Sequence, residues 1–174
     1  MNRRHTLSVI VVNEPGVLGR VAGLFSRRGF NIESISVGET DNPQRSCMTI
    51  VTTGDAPTIE QLTKQLNKMV DVIKVVDLTE EPIVARELAL IKVNCSPAHR
   101  AEIEALIAPF RADVVDVGRN ALIIQTVGRE EKVAALVELL RPYGIRELLQ
   151  TGVAAMQRSG AAGPVPVDKK EAHG

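Results

Sequence analysis

The residues best placed to do chemistry lie in one short run, Asn13-Glu14-Pro15-Gly16-Val17-Leu18-Gly19-Arg20. Two features there suit a small anion. Gly16 has no side chain to block close approach, and a helix start offers unpaired backbone N–H groups at the positive end of its dipole. The flanking elements must position that turn. Before it, Leu7 to Val12 is almost continuously apolar, which predicts a central strand covered on both faces and ending at Asn13. After it, Pro15 near the first helical position and Leu18, Val21, Ala22 and Phe25 at i, i+3, i+4 and i+7 predict an amphipathic helix that stops at Gly29. A turn of this kind also serves as a plain strand-to-helix connection, and the eight residues alone favour that simpler role.

Elsewhere, groups capable of catalysis are scattered. His5, His99 and His173 lie far apart, and Gly16-Val17-Leu18-Gly19 has neither the spacing nor the lysine of a phosphate loop. Glu102 with Glu104, and Glu130 with Glu131, read as solvated helix faces. Cys47 and Cys95 sit one in each half without a CxxC or an adjacent histidine, as free thiols in a reducing compartment do. The expectation is a chain with no catalytic residue and no metal site.

Composition narrows the partners. The 174 residues carry 21 basic and 21 acidic side chains, so no net field gathers nucleic acid or an acidic membrane surface. No apolar run nears the roughly 20 residues of a membrane span, and Met1-Asn2-Arg3-Arg4-His5 leads straight into a strand. The expected location is the cytoplasm. Only 2% of residues are aromatic against 44% hydrophobic, so the cores must be aliphatic.

The remaining elements repeat one plan. Asn31 to Thr40 reads as a strand in which Ile32 is out of phase with Ile35 and Val37, a bulge or an edge. Ser46 to Thr53 follows, then a helix opened by Pro57 with Ile59, Leu62, Leu66, Met69 and Val70 as its stripe, then the strand Val72 to Leu78. Beyond the linker Thr79-Glu80-Glu81-Pro82 the order recurs: strand Glu87 to Asn94, helix Pro97 to about Ala108, strands Val114 to Val117 and Ala121 to Val127, helix Arg129 to Leu140, strand Ile145 to Gln150. The expected fold class is α+β, two ferredoxin-like βαββαβ units in tandem over 1–79 and 83–157, followed by a disordered tail over 158–174. An edge beginning near Asn31 can pair with a second copy, so a homodimer is expected. This plan also serves RNA binding and metal sensing. Yet Ser46-Cys47-Met48-Thr49-Ile50-Val51 has no aromatic ring to stack a base, and the second unit offers only Cys95 and His99 as soft ligands.

Asn13 to Leu18, Leu24-Phe25-Ser26-Arg27-Arg28-Gly29-Phe30-Asn31-Ile32-Glu33-Ser34-Ile35, Met48-Thr49-Ile50, Glu60 to Val75 and Arg86 to Val93 together resemble the small, regulatory subunit family of acetolactate synthase, also called acetohydroxyacid synthase. The resemblance covers nearly everything before the tail. It implies that 1–79 is an ACT domain binding valine or another branched-chain amino acid, with effector sites where two such domains meet. It also implies a separate catalytic subunit that holds thiamine diphosphate, Mg²⁺ and usually FAD, with no cofactor in this chain. That partner condenses pyruvate with a second 2-oxo acid, and the small subunit raises its activity and makes it sensitive to end product. Carried over by position, Asn13, Gly16, Val17 and Leu18 are effector contacts, joined by Asn31 and Ile32 of the neighbouring domain. One departure stands out: the family commonly has Ser-Arg-Met-Thr where this chain has Ser46-Cys47-Met48-Thr49, with Arg45 on the other side of the serine. The alternatives are an ACT-type sensor serving a different enzyme, or a metal-responsive ferredoxin-like protein. Valine, leucine and isoleucine are not ranked by the sequence, since one methylene is worth only ~1–3 kcal/mol.

Overall fold

Alternating burial governs the first strand. In the computed structural model, which describes residues 1–161, β1 (Arg3–Val12) buries His5, Leu7, Val9 and Val11 while Ser8, Ile10 and Val12 on the other face are half-buried. β1 is central, with β2 (Ile32–Glu39), β3 (Arg45–Gly54) and β4 (Val72–Asp77) in the antiparallel order β2-β3-β1-β4. Leu7, Val9, Val11, Met48 and Ile50 of the sheet pack on Val21, Leu24 and Phe25 of α1 (Val17–Arg27) and on Ile59, Leu62 and Leu66 of α2 (Ala56–Lys68). The expected irregularity in β2 is present: its register against β3 shifts between Ile32 and Ser34.

Both ends of α1 follow from local chemistry, with one correction. Pro15 lies two residues ahead of the helix, and Gly16 (φ +83°) is the residue at its cap. The turn needs a left-handed residue there, so the helix cannot begin at Pro15. At the far end Gly29 (φ +75°) donates to Ser26 O (3.1 Å) and Phe30 to Phe25 O (2.9 Å), the paired bonds of a Schellman stop. The rings of Phe25 and Phe30 meet edge-on, centroids 6.3 Å apart, which closes that stop with an apolar contact. α2 is capped by Asp55, which accepts from Thr58 N–H at 2.9 Å. Its expected stripe ends sooner than the periodicity predicts. Met69 is already extended, so Val70 turns outward and is 90% exposed.

The second unit builds the same plan with β5 (Ile83–Asn94), α3 (Arg100–Ile107), β6 (Asp113–Val117), β7 (Ala121–Gly128), α4 (Glu130–Leu140) and β8 (Ile145–Gln150). Its sheet runs β6-β7-β5-β8. Ala89, Ile91, Val93, Leu122 and Ile124 meet Ile103, Ile107, Val133, Leu136 and Leu140 in an aliphatic core. A single 3₁₀ turn, Pro97–His99, precedes α3.

Contacts divide the chain into 1–84 together with 153–161, and 85–152. By contacts, residues 153–157, which the repeat order gave to the second unit, group with the first, while the strand they form pairs with β5. After Gly152 (φ +77°) the chain forms a strand absent from the sequence reading, β9 (Ala154–Gln157). Val153 N–H reaches Ser34 Oγ (3.4 Å) and Ala155 N–H reaches Thr49 Oγ1 (3.2 Å), so this segment lies on the first unit's sheet. Gln157 Nε2 donates to Glu81 Oε2 (2.9 Å), and Arg158 N–H to Pro82 O (2.8 Å). The expected disorder over 158–174 falls, from residue 162 on, outside the described residues.

Candidate functional site

The turn after β1 is held by backbone bonds rather than by caps. Asn13 N–H donates to Gln44 O (2.8 Å), Glu14 N–H to Val12 O (3.1 Å) and Val17 N–H to Glu14 O (3.4 Å). No side chain caps α1, so the first turn presents its N–H groups to whatever lies beyond Gly16. Asn13 is exposed, and its side-chain Nδ2 donates to Pro43 O at 2.9 Å, which leaves the carbonyl oxygen as the atom offered outward. Leu18 is 46% exposed beside this opening, an apolar wall of the right kind. Val17 is different. Its side chain is buried in the core, so only its backbone is available to a ligand.

Two residues outside the expected effector contacts complete the turn. A Cβ on Gly16 would lie 3.0 Å from Arg20 Nη1, so the absence of a side chain at 16 gives the guanidinium its place beside the helix start. Arg20 Nε in turn donates to Asp71 Oδ2 at 2.7 Å, and Asp71 O accepts Val12 N–H at 2.9 Å. The Arg20 hydrogen bond holds the Asp71 carboxyl below its ordinary range, and the same bond raises the Arg20 pKa. A signal for Arg20 was legible, because it lies one helical turn after Gly16. Asp71, between α2 and β4, has no local signature.

Asn31 and Ile32 are not brought to this turn by their own chain. Ile32 pairs with Thr52, which pairs with His5, whereas Glu39 pairs with Ser46, which pairs with Val11 at the other end of the sheet. Asn31 therefore lies beyond the His5 end while Asn13 follows Val12, roughly 25 Å apart at about 3.3 Å per strand residue. Asn31 is exposed, its backbone carbonyl accepting from Thr52 Oγ1 at 2.7 Å. Cys47 is half-buried with its Sγ 3.7 Å from Ser8 Oγ. No cluster of three or more His, Cys, Asp or Glu that could hold a metal ion occurs among the described residues. No helix among them is long and apolar enough to cross a membrane.

Comparison with known proteins assigns both units. Residues 7–74 match the model of the ACT domain of acetohydroxyacid synthase small subunits, and 86–159 match that of the acetolactate synthase small subunit. A probable acetolactate synthase small subunit of Archaeoglobus fulgidus is 54% identical over 155 residues, covering 89% of this chain and 97% of that protein. The chain belongs to the acetolactate synthase small-subunit family. The Bacillus subtilis small subunit is 50% identical over 89% of this chain and 91% of its own length. The crystal structure of the Thermotoga maritima small subunit superposes with a TM-score of 0.83 at 45% identity, covering 90% of this chain and 98% of that one. The first unit is thus the ACT domain of a regulatory small subunit.

Proposed function

We propose that the chain activates the catalytic subunit of acetolactate synthase and imposes feedback inhibition by valine or a related branched-chain amino acid, bound where two ACT domains meet. The observation that carries this reading is the open α1 start at Gly16, with Arg20 alongside and Asn31 at the opposite end of the same sheet. β2 is an edge strand. Two copies joined antiparallel through it about a two-fold axis bring the Asn31 end of one against the Asn13 end of the other, so a full site needs both. The bulge at Ile32 suits such a place, since bulges re-aim side chains at sheet edges.

Each part of valine then has a receptor. Its carboxylate meets the α1 N-terminus, an interaction worth about 0.3–1 kcal/mol when exposed and up to ~2 kcal/mol when partly buried. Arg20 adds a guanidinium, which favours planar carboxylates. The ammonium is received by the side-chain carbonyls of Asn13 and the partner copy's Asn31, and the isopropyl group by Leu18 and Ile32, worth about 1.5–3 kcal/mol if fully buried. Inhibition follows if valine binds one arrangement of the ACT pair better than another, with a coupling of roughly 1–3 kcal/mol. Catalysis, with thiamine diphosphate, Mg²⁺ and FAD, is assigned to the partner subunit, in the cytoplasm.

Reconstitution tests this. The chain mixed with an acetolactate synthase catalytic subunit should raise turnover of pyruvate, and valine should reduce it. Copurification with a different enzyme, or a rise in turnover that no branched-chain amino acid reverses, would refute the reading.

A further inference from the structure

The second unit contains a built cationic cavity with no part in the valine reading. Its volume is about 750 Å³. Arg86 of β5, Arg111 before β6, Arg129 at the cap of α4 and Lys132 in its first turn all line it. Asp113 and Glu131 are the acids on the same wall, which leaves two positive charges in excess. Among the described residues none of the four cations forms an ion pair. Lys132 Nζ instead donates to Val127 O (3.0 Å) and Arg86 Nη1 to the neighbouring Ala85 O (2.7 Å), both neutral acceptors.

Thr126 is the decisive residue. It lines the same cavity, its side chain is only 1% exposed, and its Oγ1 has no hydrogen-bond partner. A buried hydroxyl left unpaired is destabilising, so the position calls for a ligand atom that accepts or donates there. Arg111, the one non-glycine residue with positive φ (+50°) among those described, closes the preceding 3₁₀ turn at the cavity wall. No side chain caps α4, whose opening residues border the cavity, so its first N–H groups add to the positive field. At Gly128 a Cβ would come within 2.5 Å of Lys132 Cδ, and glycine there lets the lysine stem fold back over the strand end.

We infer that this cavity binds a small phosphorylated molecule, its phosphate or diphosphate group held by Arg111, Arg129 and Lys132 with a hydrogen bond to Thr126 Oγ1. Two excess charges match a phosphate dianion better than a single carboxylate, and guanidinium forks suit its oxygens. The volume leaves room for an organic moiety beyond the phosphate. An acidic segment of the catalytic subunit is the competing occupant. A concave pocket with its orphan hydroxyl fully buried favours the small molecule over a flat protein contact.

Inorganic pyrophosphate, titrated into the full chain in a metal-free buffer at constant ionic strength, is the probe. Calorimetry should give saturable binding at one site per chain. Arg129→Ser/Lys132→Ser should weaken it at least about tenfold, or ~1.4 kcal/mol. Thr126→Val should weaken pyrophosphate binding while raising the melting temperature of the free protein, a pair of opposite effects that a purely structural threonine would not produce. Valine inhibition should be unchanged in both variants, which separates this site from the ACT turn. Absence of saturable binding, or equal binding in the double variant, overturns the inference. So does loss of catalytic-subunit association in the double variant without any pyrophosphate affinity in the wild type, which assigns the cavity to the protein partner.

Discussion

The two units share one topology and differ most at the same point, the turn from first strand to first helix. In the ACT domain that turn is Asn13-Glu14-Pro15-Gly16, with a left-handed glycine, no side-chain cap and an arginine beside it. In the second unit it is Asn94-Cys95-Ser96-Pro97, where side chains bond to one another around a cavity of about 520 Å³. Arg146 Nε donates to Asn94 Oδ1, Ser96 Oγ lies 2.7 Å from His99 Nδ1, and a 3₁₀ turn comes before α3. Tyr143 OH donates to Glu102 close by, and this bond raises the Tyr143 pKa. The same βαββαβ frame thus carries an uncapped helix start behind a left-handed glycine in one unit and a network of side-chain bonds in the other. Fold alone therefore does not decide what either turn binds.

The comparison can be broken in several places. The largest effect should come from Leu136→Ala in the second core, where a fully buried leucine sits. About 2–5 kcal/mol of that unit's stability should be lost in urea unfolding, while calorimetry on the folded protein should find valine affinity within twofold. Next, Gly16→Asp places a carboxylate where the ligand's own must go. Half-inhibition should need at least about tenfold more valine, with activation retained. Unchanged valine sensitivity in that variant would remove the ACT turn from the account.

Smaller changes sharpen the contrast. Asp71 is held below the ordinary carboxylate range by Arg20, so its contribution to stability is complete above the unfolded carboxyl's value and is lost as pH falls through the lowered folded one. The difference in urea midpoint between wild type and Asp71→Asn should therefore be present at neutral pH and shrink in acid. A pH-independent difference would mean that the ion pair is not its source. Asn13→Ala removes one hydrogen bond to the ammonium and should weaken valine by about 0.5–1.5 kcal/mol, a few-fold to tenfold in a binding isotherm. Ser96→Ala, at the counterpart turn, should stay within about 0.5 kcal/mol in stability and leave valine affinity unaltered.

Much of this was legible from residue types. Strand order, the Schellman stop at Gly29 and the bulge at Ile32 follow from periodicity and glycine placement, and each is present in the structure. What periodicity missed depends on distant contacts. Val70 continues the α2 stripe on a helical wheel, but the helix ends at Lys68. β9 is four residues with no alternation of its own, and hydrogen bonds from Val153 and Ala155 to Ser34 and Thr49 seat its segment, more than a hundred positions away. Asp71 likewise reaches the candidate site only because β4 lies next to β1. Val17, a contact by position, has no side chain to offer because it is buried in the core.

The central claim is that one effector site needs two copies of the chain, Gly16 from one and Asn31 from the other. It is tested most directly by mixing two variants that each fail to bind valine, Gly16→Asp and Asn31→Arg, and measuring binding by calorimetry after subunit exchange. A shared site requires that binding return, because each mixed dimer rebuilds one intact site, about one in four of all sites at equal proportions. If the mixture binds no better than either variant alone, both residues serve the same chain or neither serves valine, and the two-fold arrangement is wrong.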